Sequence, residues 1–249
     1  MKIEVLFSPA EFAALQQRDL SESTCVVFDI LRATTSMMTA LAHGAERIFP
    51  VAEIAEAIAL RQTDSEILLA GEREGLRILA AQTGSVDFDL GNSPREFTAV
   101  KVRGKSIAMT TTNGTRALQS CAGAKRILIG SFLNLNALAE NLRQENPSHL
   151  ILVCAGTFEE TAYEDTLAAG VLVDLLSQEM KVNFSDSAHL ARQIFQHMGT
   201  SLLEAMQFSR NGRRLLSNPD LRDDVSFCLQ RDTLSLVADM REGFVKRIG

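Results

Sequence analysis

The sequence predicts an α/β fold, a mostly parallel sheet covered by helices on both faces, and three observations carry that prediction. Short runs rich in β-branched residues alternate with longer stretches of helical period, the pattern that builds βαβ units. Hydrophobic residues fill 46% of the 249 positions, enough for a sizeable core within the range one domain can fill. The 15 Gly and 5 Pro are dispersed, and no Ser/Gly/Pro-rich stretch or charge run marks a linker, repeat or tail. Residues 1–249 are therefore read as one compact unit, with two closely packed subdomains as the alternative.

The elements follow in order. Residues 2–7 form a first strand. Ser8-Pro9-Ala10-Glu11 then opens a helix, with Ser as N-cap, Pro at the first helical position and Glu at the third, where its carboxylate reaches back to the cap. A second strand covers residues 24–29. The next helix begins near Ala33, runs through Met37, Met38 and Leu41, and stops at Gly44, which takes a left-handed terminal conformation without steric cost. Further strands lie at 47–51, 66–70, 106–110, 126–130 and 149–154, so six or seven strands fit one sheet. Helices span 53–62, 135–144 and 164–179. Residues 185–214 are largely helical, with an Ala/Leu/Met/Phe stripe that reads as core rather than cofactor contact. Residues 234–248 alternate apolar and polar side chains around Arg241-Glu242-Gly243 and predict a terminal β-hairpin.

Charge and cysteine usage exclude several classes. A formal net charge of −6 with dispersed Lys and Arg argues against nucleic acid as partner, which calls for a basic stripe. A small anion is still admissible, since a few positioned donors, helix N-termini or a metal ion suffice to hold one. The start, Met-Lys-Ile-Glu-Val-Leu-Phe, is too quickly polar for a signal peptide, and no run of 18 apolar residues follows, so a cytoplasmic protein without membrane contact is expected. Cys25, Cys121, Cys154 and Cys228 are scattered, without zinc-site or disulfide spacing.

Ligands of open α/β sheets sit beyond the carboxyl ends of the strands, and five such places are unusually polar. They are Asp29-Ile30-Leu31-Arg32-Ala33-Thr34-Thr35-Ser36, Gly71-Glu72-Arg73-Glu74-Gly75, the stretch from Asp89 through Asn92, Ser93 and Arg95, the stretch from Thr110 to Arg116, and Cys154-Ala155-Gly156 with Glu164-Asp165 opening the following helix. Three of them place hydroxyls, amides and Arg at an expected helix N-terminus, where unpaired N–H groups favour an anion; ordinary capping by Thr34, Ser93 and Thr112 is the alternative. Asp29, Glu72, Glu164 and Asp165 are the candidate Mg²⁺ carboxylates, a cation that binds through one or two of them plus water and phosphate oxygens. Helix-start charge and surface ion pairing are their ordinary roles.

Familiar alternatives fail on the letters. Gly104-Lys105-Ser106 is no P-loop, because Ala99 stands where Gly is required and the segment precedes a strand. The positions six after the cysteines are Leu31, Ile127, Glu160 and Leu234, so no cysteine-phosphatase spacing with Arg exists. Leu31 occupies the place of the second Asp in a paired-Asp nucleophile, and His43, His149, His189 and His197 lie outside the polar segments.

The strings VFDILRATTS, GEREGL, FDLGNSPRE, MTTTNGTRAL, VCAG and YEDTLAAG resemble the 2-phosphosulfolactate phosphatases, and the likeness continues through Ser209-Arg210-Asn211-Gly212-Arg213-Arg214-Leu215 and Asp224-Val225-Ser226-Phe227-Cys228. The sequence departs from the expected pattern at Val237-Ala238, where Val-Pro is anticipated. The resemblance implies Mg²⁺-dependent hydrolysis of (R)-2-phospho-3-sulfolactate to 3-sulfolactate and phosphate, a step toward coenzyme M, on an α/β fold of its own. Asp29 and Arg32 are the expected catalytic residues, and Asp29 with one or more of Glu72, Glu164 and Asp165 is expected to hold Mg²⁺. Thr34 and Thr35 with Arg32 would grip one anionic group of the small phosphorylated substrate. Asn92, Ser93 and Arg95, with Thr111, Thr112, Asn113, Gly114 and Thr115, would hold the others. Whether Asp29 acts as ligand, base or nucleophile stays open at this level. The rivals are a phosphatase of another phosphorylated hydroxy acid, a lyase or mutase on such acids, and a non-catalytic anion-binding protein. A homodimer is the default assembly.

Overall fold

A computed structural model describes residues 1–198 and 201–248. The strands are β1 (Lys2–Leu6), β2 (Ser23–Phe28), β3 (Arg47–Pro50), β4 (Leu68–Arg73), β5 (Leu76–Arg77), β6 (Ser106–Thr110), β7 (Arg126–Gly130), β8 (His149–Cys154), β9 (Asn183–Phe184), β10 (Val237–Arg241) and β11 (Phe244–Ile248). The first six helices are α1 (Pro9–Ala13), α2 (Ala33–Ala42), α3 (Ile54–Thr63), α4 (Ala80–Thr83), α5 (Ala99–Val102) and α6 (Gly114–Ser120). The others are α7 (Leu135–Glu145), α8 (Tyr163–Glu179), α9 (Asp186–Met198), α10 (Leu202–Ala205), α11 (Arg210–Leu216) and α12 (Arg222–Cys228). No described helix is long and apolar enough to cross a membrane.

The strands form one mixed sheet in the order β5-β4-β6-β3-β11-β10-β7-β2-β8-β1-β9. The segments β4-β6-β3 and β7-β2-β8-β1-β9 are each parallel throughout, as the alternating sequence predicts. Period-2 alternation sorts the central side chains. Val26, Phe28, Leu128, Leu150 and Leu152 pack with α7, α8 and α9 on one face, while Cys25, Val27, Ile127, Ile129, Ile151 and Val153 pack with α2 on the other. Both faces are buried, so these strands read as continuous apolar runs.

The terminal hairpin forms where it is predicted, with Glu242 and Gly243 at φ 53° and 82°, the two positive values that a primed turn needs. Its place in the sheet is unexpected. It lies between β3 and β7, paired antiparallel through Val245↔Ile48 on one side and Asp239↔Leu128 on the other. Each junction is a single residue pair, and side chains of both halves, Ile107 and Met109 with Val27 and Ile129, share one core around Met37 and Met38 of α2.

Two local expectations shift. The strand predicted at 66–70 starts later, because the Asp64 carboxylate takes the Glu66 N–H at 3.0 Å and its carbonyl takes the Ile67 N–H at 3.2 Å, closing a turn. The strand also runs on to Arg73, because Glu72 and Arg73 pair antiparallel with Arg77 and Leu76 of β5, so Glu72 sits inside β4 rather than in a loop. The helical stretch 185–214 divides into α9, α10 and α11, since Ser201 and Ser209 cap new helices by accepting from the N–H groups of Glu204 and Gly212. Its residues 199 and 200 lie outside the described ones.

Candidate active site

A cavity of about 420 Å³ opens where the carboxyl ends of β2, β4, β6 and β8 meet. Asp29, Leu31 and Arg32 follow β2, Glu72 to Gly75 end β4, Thr112 and Asn113 follow β6, and Thr157 and Phe158 follow β8. Asn92 enters from the loop after α4, and Asn211, Arg214, Leu215, Asn218 and Leu221 close the opposite side from α11 and the turn behind it. The crevice beyond the carboxyl ends of the strands is where open α/β sheets bind ligands.

Asp29 is held as the N-terminal turn of α2 demands. Its Oδ1 accepts the Ala33 N–H at 3.2 Å, its carbonyl accepts the Thr34 N–H, and the Thr34 hydroxyl bonds its backbone N–H and carbonyl, each at 3.0 Å. Oδ2 has no protein donor among the described residues. Gly114 passes beside it, so close that a Cβ there would stand 2.6 Å from Oδ2. Burial pushes the Asp29 carboxyl up to about 7; the charges of Glu72 and Glu164 push the same way, while the Ala33 N–H and Arg32 offset part of the rise.

Arg32 is buried yet reaches the cavity wall. Its Nη1 donates to Asp224 Oδ2 at 2.6 Å and its Nη2 to the Gly75 carbonyl at 2.8 Å. Glu72 is held as firmly: Oε2 accepts the Gly75 N–H at 2.6 Å, and Oε1 accepts the Thr112 N–H and hydroxyl at 3.0 Å each. Two side-chain oxygens contrast with these. Asn92 Oδ1 and Asn113 Oδ1 are buried, belong to cavity-lining residues, and have no hydrogen-bond partner.

Of the predicted site residues, the structure brings Asp29, Arg32, Glu72, Asn92, Thr112 and Asn113 to the cavity wall. The others lie behind the wall and shape it, all buried except the exposed Arg95. The Thr35 hydroxyl donates to the Ile30 carbonyl, and Thr111 and Thr115 bond each other across the start of α6. Ser93 and Arg95 donate to Asp224 at 2.6 Å and 2.7 Å. Glu164 accepts from Ser209 at 2.6 Å and from the cavity-lining Asn211 at 2.7 Å. Asp165 accepts the N–H groups of Ile30 and Gly156, tying the loops after β2 and β8 together. Burial, then Glu164 and Asp29, raises its carboxyl well above the usual range.

Sequence reasoning missed Asp224 and Arg214 as site residues. Both lie in late segments whose letters match the family, but neither follows a strand, and the strand-end rule looks only there. A fully buried acid such as Asp224 betrays itself only when its three partners are seen together.

Among the described residues, no group of three or more His, Cys, Asp and Glu side chains is gathered closely enough to form a metal cage. The cavity nonetheless suits a hard cation that needs only one or two carboxylates. Asp29 Oδ2 is free of donors, Glu72 lines the same wall, and the unpartnered amide oxygens of Asn92 and Asn113 add neutral oxygen donors.

Comparison with known proteins places the chain in a family. Residues 11–243 match the family model described as 2-phosphosulpholactate phosphatase. A protein of Caldicellulosiruptor saccharolyticus named "Probable 2-phosphosulfolactate phosphatase" is 38% identical over 234 residues, 92% of this chain and 93% of its own length. Proteins of the same name from Carboxydothermus hydrogenoformans and Pseudothermotoga lettingae are each 36% identical, covering 98% of this chain and 95% and 99% of their own lengths. The chain belongs to the 2-phosphosulpholactate phosphatase family, a family of phosphoric monoester hydrolases.

Proposed function

We propose that this family member hydrolyses (R)-2-phospho-3-sulfolactate to 3-sulfolactate and phosphate with Mg²⁺ as cofactor, the step taken toward coenzyme M in the cytoplasm. The observation that carries the proposal is one cavity that joins Asp29 and Glu72 with two amide oxygens lacking any protein donor. Asp29, through Oδ2, and Glu72 would hold the ion. When bound, Mg²⁺ neutralises phosphate charge and acidifies a water. The four cysteines, free and buried, suit a reducing compartment.

The chain's own residues supply position and charge. Arg32, locked by Asp224 and the Gly75 carbonyl, presents a guanidinium whose place is set before substrate arrives, so nothing has to reorganise as negative charge grows on the phosphoryl oxygens. The Ala33 N–H fixes Oδ1 of Asp29, which leaves Oδ2 directed away from the α2 turn. Glu72, gripped by three donors, keeps its carboxylate in the plane those donors dictate. Water's oxygen bonds to phosphorus, the bond from phosphorus to the C2 oxygen breaks, and a proton from water ends on the new hydroxyl of the product.

A second reading, a phosphatase of another phosphorylated hydroxy acid, is favoured by the apolar lining from Leu31, Leu76, Phe158, Leu215 and Leu221, which is more than a small trianion requires. Phosphate release from 2-phosphosulfolactate, 2-phospholactate and an aryl phosphate, each with Mg²⁺ and with EDTA, separates the readings. Mg²⁺-dependent release greatest from phosphosulfolactate is expected. Release only from another ester moves the substrate, and no release from any of them brings forward a lyase or a binding protein.

A further inference from the structure

Two guanidinium groups converge at the cavity mouth. Gly75 lies between them: a Cβ there would be 3.5 Å from Arg214 Nη2 and 4.0 Å from Arg32 Nη2, ordinary contact distances, and it is the φ of 80° that calls for glycine. Arg32 is matched by the fully buried carboxylate of Asp224. Arg214 is not matched: it lines the cavity, donates to the Glu74 carbonyl, and makes no ion pair among the described residues. Arg73 also lines the cavity without an acid partner, but its guanidinium is spent on the Glu72 and Ala52 carbonyls and the Thr110 hydroxyl, knitting β4 to β6. Arg214 retains donors of its planar fork for a ligand.

Asp224 already neutralises Arg32, so the uncompensated positive charge at the mouth is that of Arg214, which an anionic ligand group would balance. We propose that Arg214, beside Arg32 across Gly75, is a specificity-determining residue that holds one of the two acid groups of the substrate that are not hydrolysed, the sulfonate in the substrate proposed above. The inference rests on that reading of the cavity. The planar fork of an Arg pairs two oxygens of such a group at once, which a Lys does not reproduce.

The test compares wild type, Arg214→Ala and Arg214→Lys, each with Mg²⁺. Binding of 3-sulfolactate, of lactate and of inorganic phosphate is measured by calorimetry, which needs no turnover, and kcat/KM is measured for 2-phosphosulfolactate and 2-phospholactate. Arg214→Ala is expected to weaken 3-sulfolactate about 10- to 100-fold, the scale of a charge-assisted pair, while lactate and phosphate change less than about twofold. Lys restores part of the loss. Equal binding of 3-sulfolactate by wild type and Arg214→Ala, or equal losses for all three ligands, overturns the inference. Selective loss in binding together with no phosphate release by wild type upholds Arg214 and removes the phosphatase reading instead.

Discussion

Arg32 and Asp224 form an ion pair of 2.6 Å whose side chains are only 3% and 0% exposed. Asp224 also accepts from Ser93 and Arg95, so one carboxylate fixes a cavity-lining cation and the loop that carries Asn92. Removing one partner of such a pair strands the other charge in a medium that solvates it poorly.

Replacement of Asp224 by Ala is therefore expected to destabilise the fold by about 3–5 kcal/mol. Urea unfolding of wild type and variant reads it directly. A midpoint that stays where it was removes Asp224 from the structural account of the site.

Replacement of Asp29 by Asn tests the opposite case. Asn can keep an oxygen acceptor for the Ala33 N–H while deleting a charge that burial disfavours, so the fold persists and turnover falls at least about 1000-fold. Circular dichroism and phosphate release are measured on the same preparation. An active Asp29→Asn enzyme would falsify the assignment.

The pH dependence of stability follows from the same residue. Asp29 has a folded value of about 7 against an ordinary 3.8, so between these the folded state holds a proton that the unfolded state has lost. Stability conferred by that proton is complete below the lower value and disappears as pH rises through the folded one, an effect on the order of a few kcal/mol. Asp165, also raised, acts with the same sign. In EDTA, the stability difference between wild type and Asp29→Asn is expected to shift against wild type from pH 4 to pH 8, and added Mg²⁺ is expected to restore wild type at the alkaline end. Parallel profiles in EDTA refute the buried-carboxyl account.

Gly114→Ala probes close approach rather than charge. Its methyl would meet Asp29 Oδ2 at 2.6 Å and the Ala33 Cβ at 2.7 Å, distances that force a shift of the turn. A cost of about 1–3 kcal/mol and loss of Mg²⁺ affinity are expected, read by thermal unfolding and by the Mg²⁺ dependence of phosphate release. Unchanged metal dependence would mean that Asp29 Oδ2 does not face the ion.

The longer elements were legible in the sequence, while short ones such as β5, β9, α4, α5 and α12 were not. Strands β6, β7 and β8 have the predicted bounds, and the Ser8 cap, the helix from Ala33 and the terminal hairpin all form, because period, capping and turn chemistry are settled by residues a few positions apart. The polar strand ends are marked by their letters as well, and Asp29, Glu72, Asn92, Thr112 and Asn113 all reach the cavity wall. Only the tertiary structure decided where the hairpin joins the sheet, that Thr34, Thr35, Ser93 and Thr115 turn inward, and that Asp224 meets Arg32 across 192 positions and Arg214 reaches the mouth. A hydroxyl at a helix start has the same letter whether it caps its own turn or faces a ligand, and a buried charge is tolerated only by partners that distant segments deliver. Those choices are made by packing, after local structure has exhausted what neighbouring residues encode.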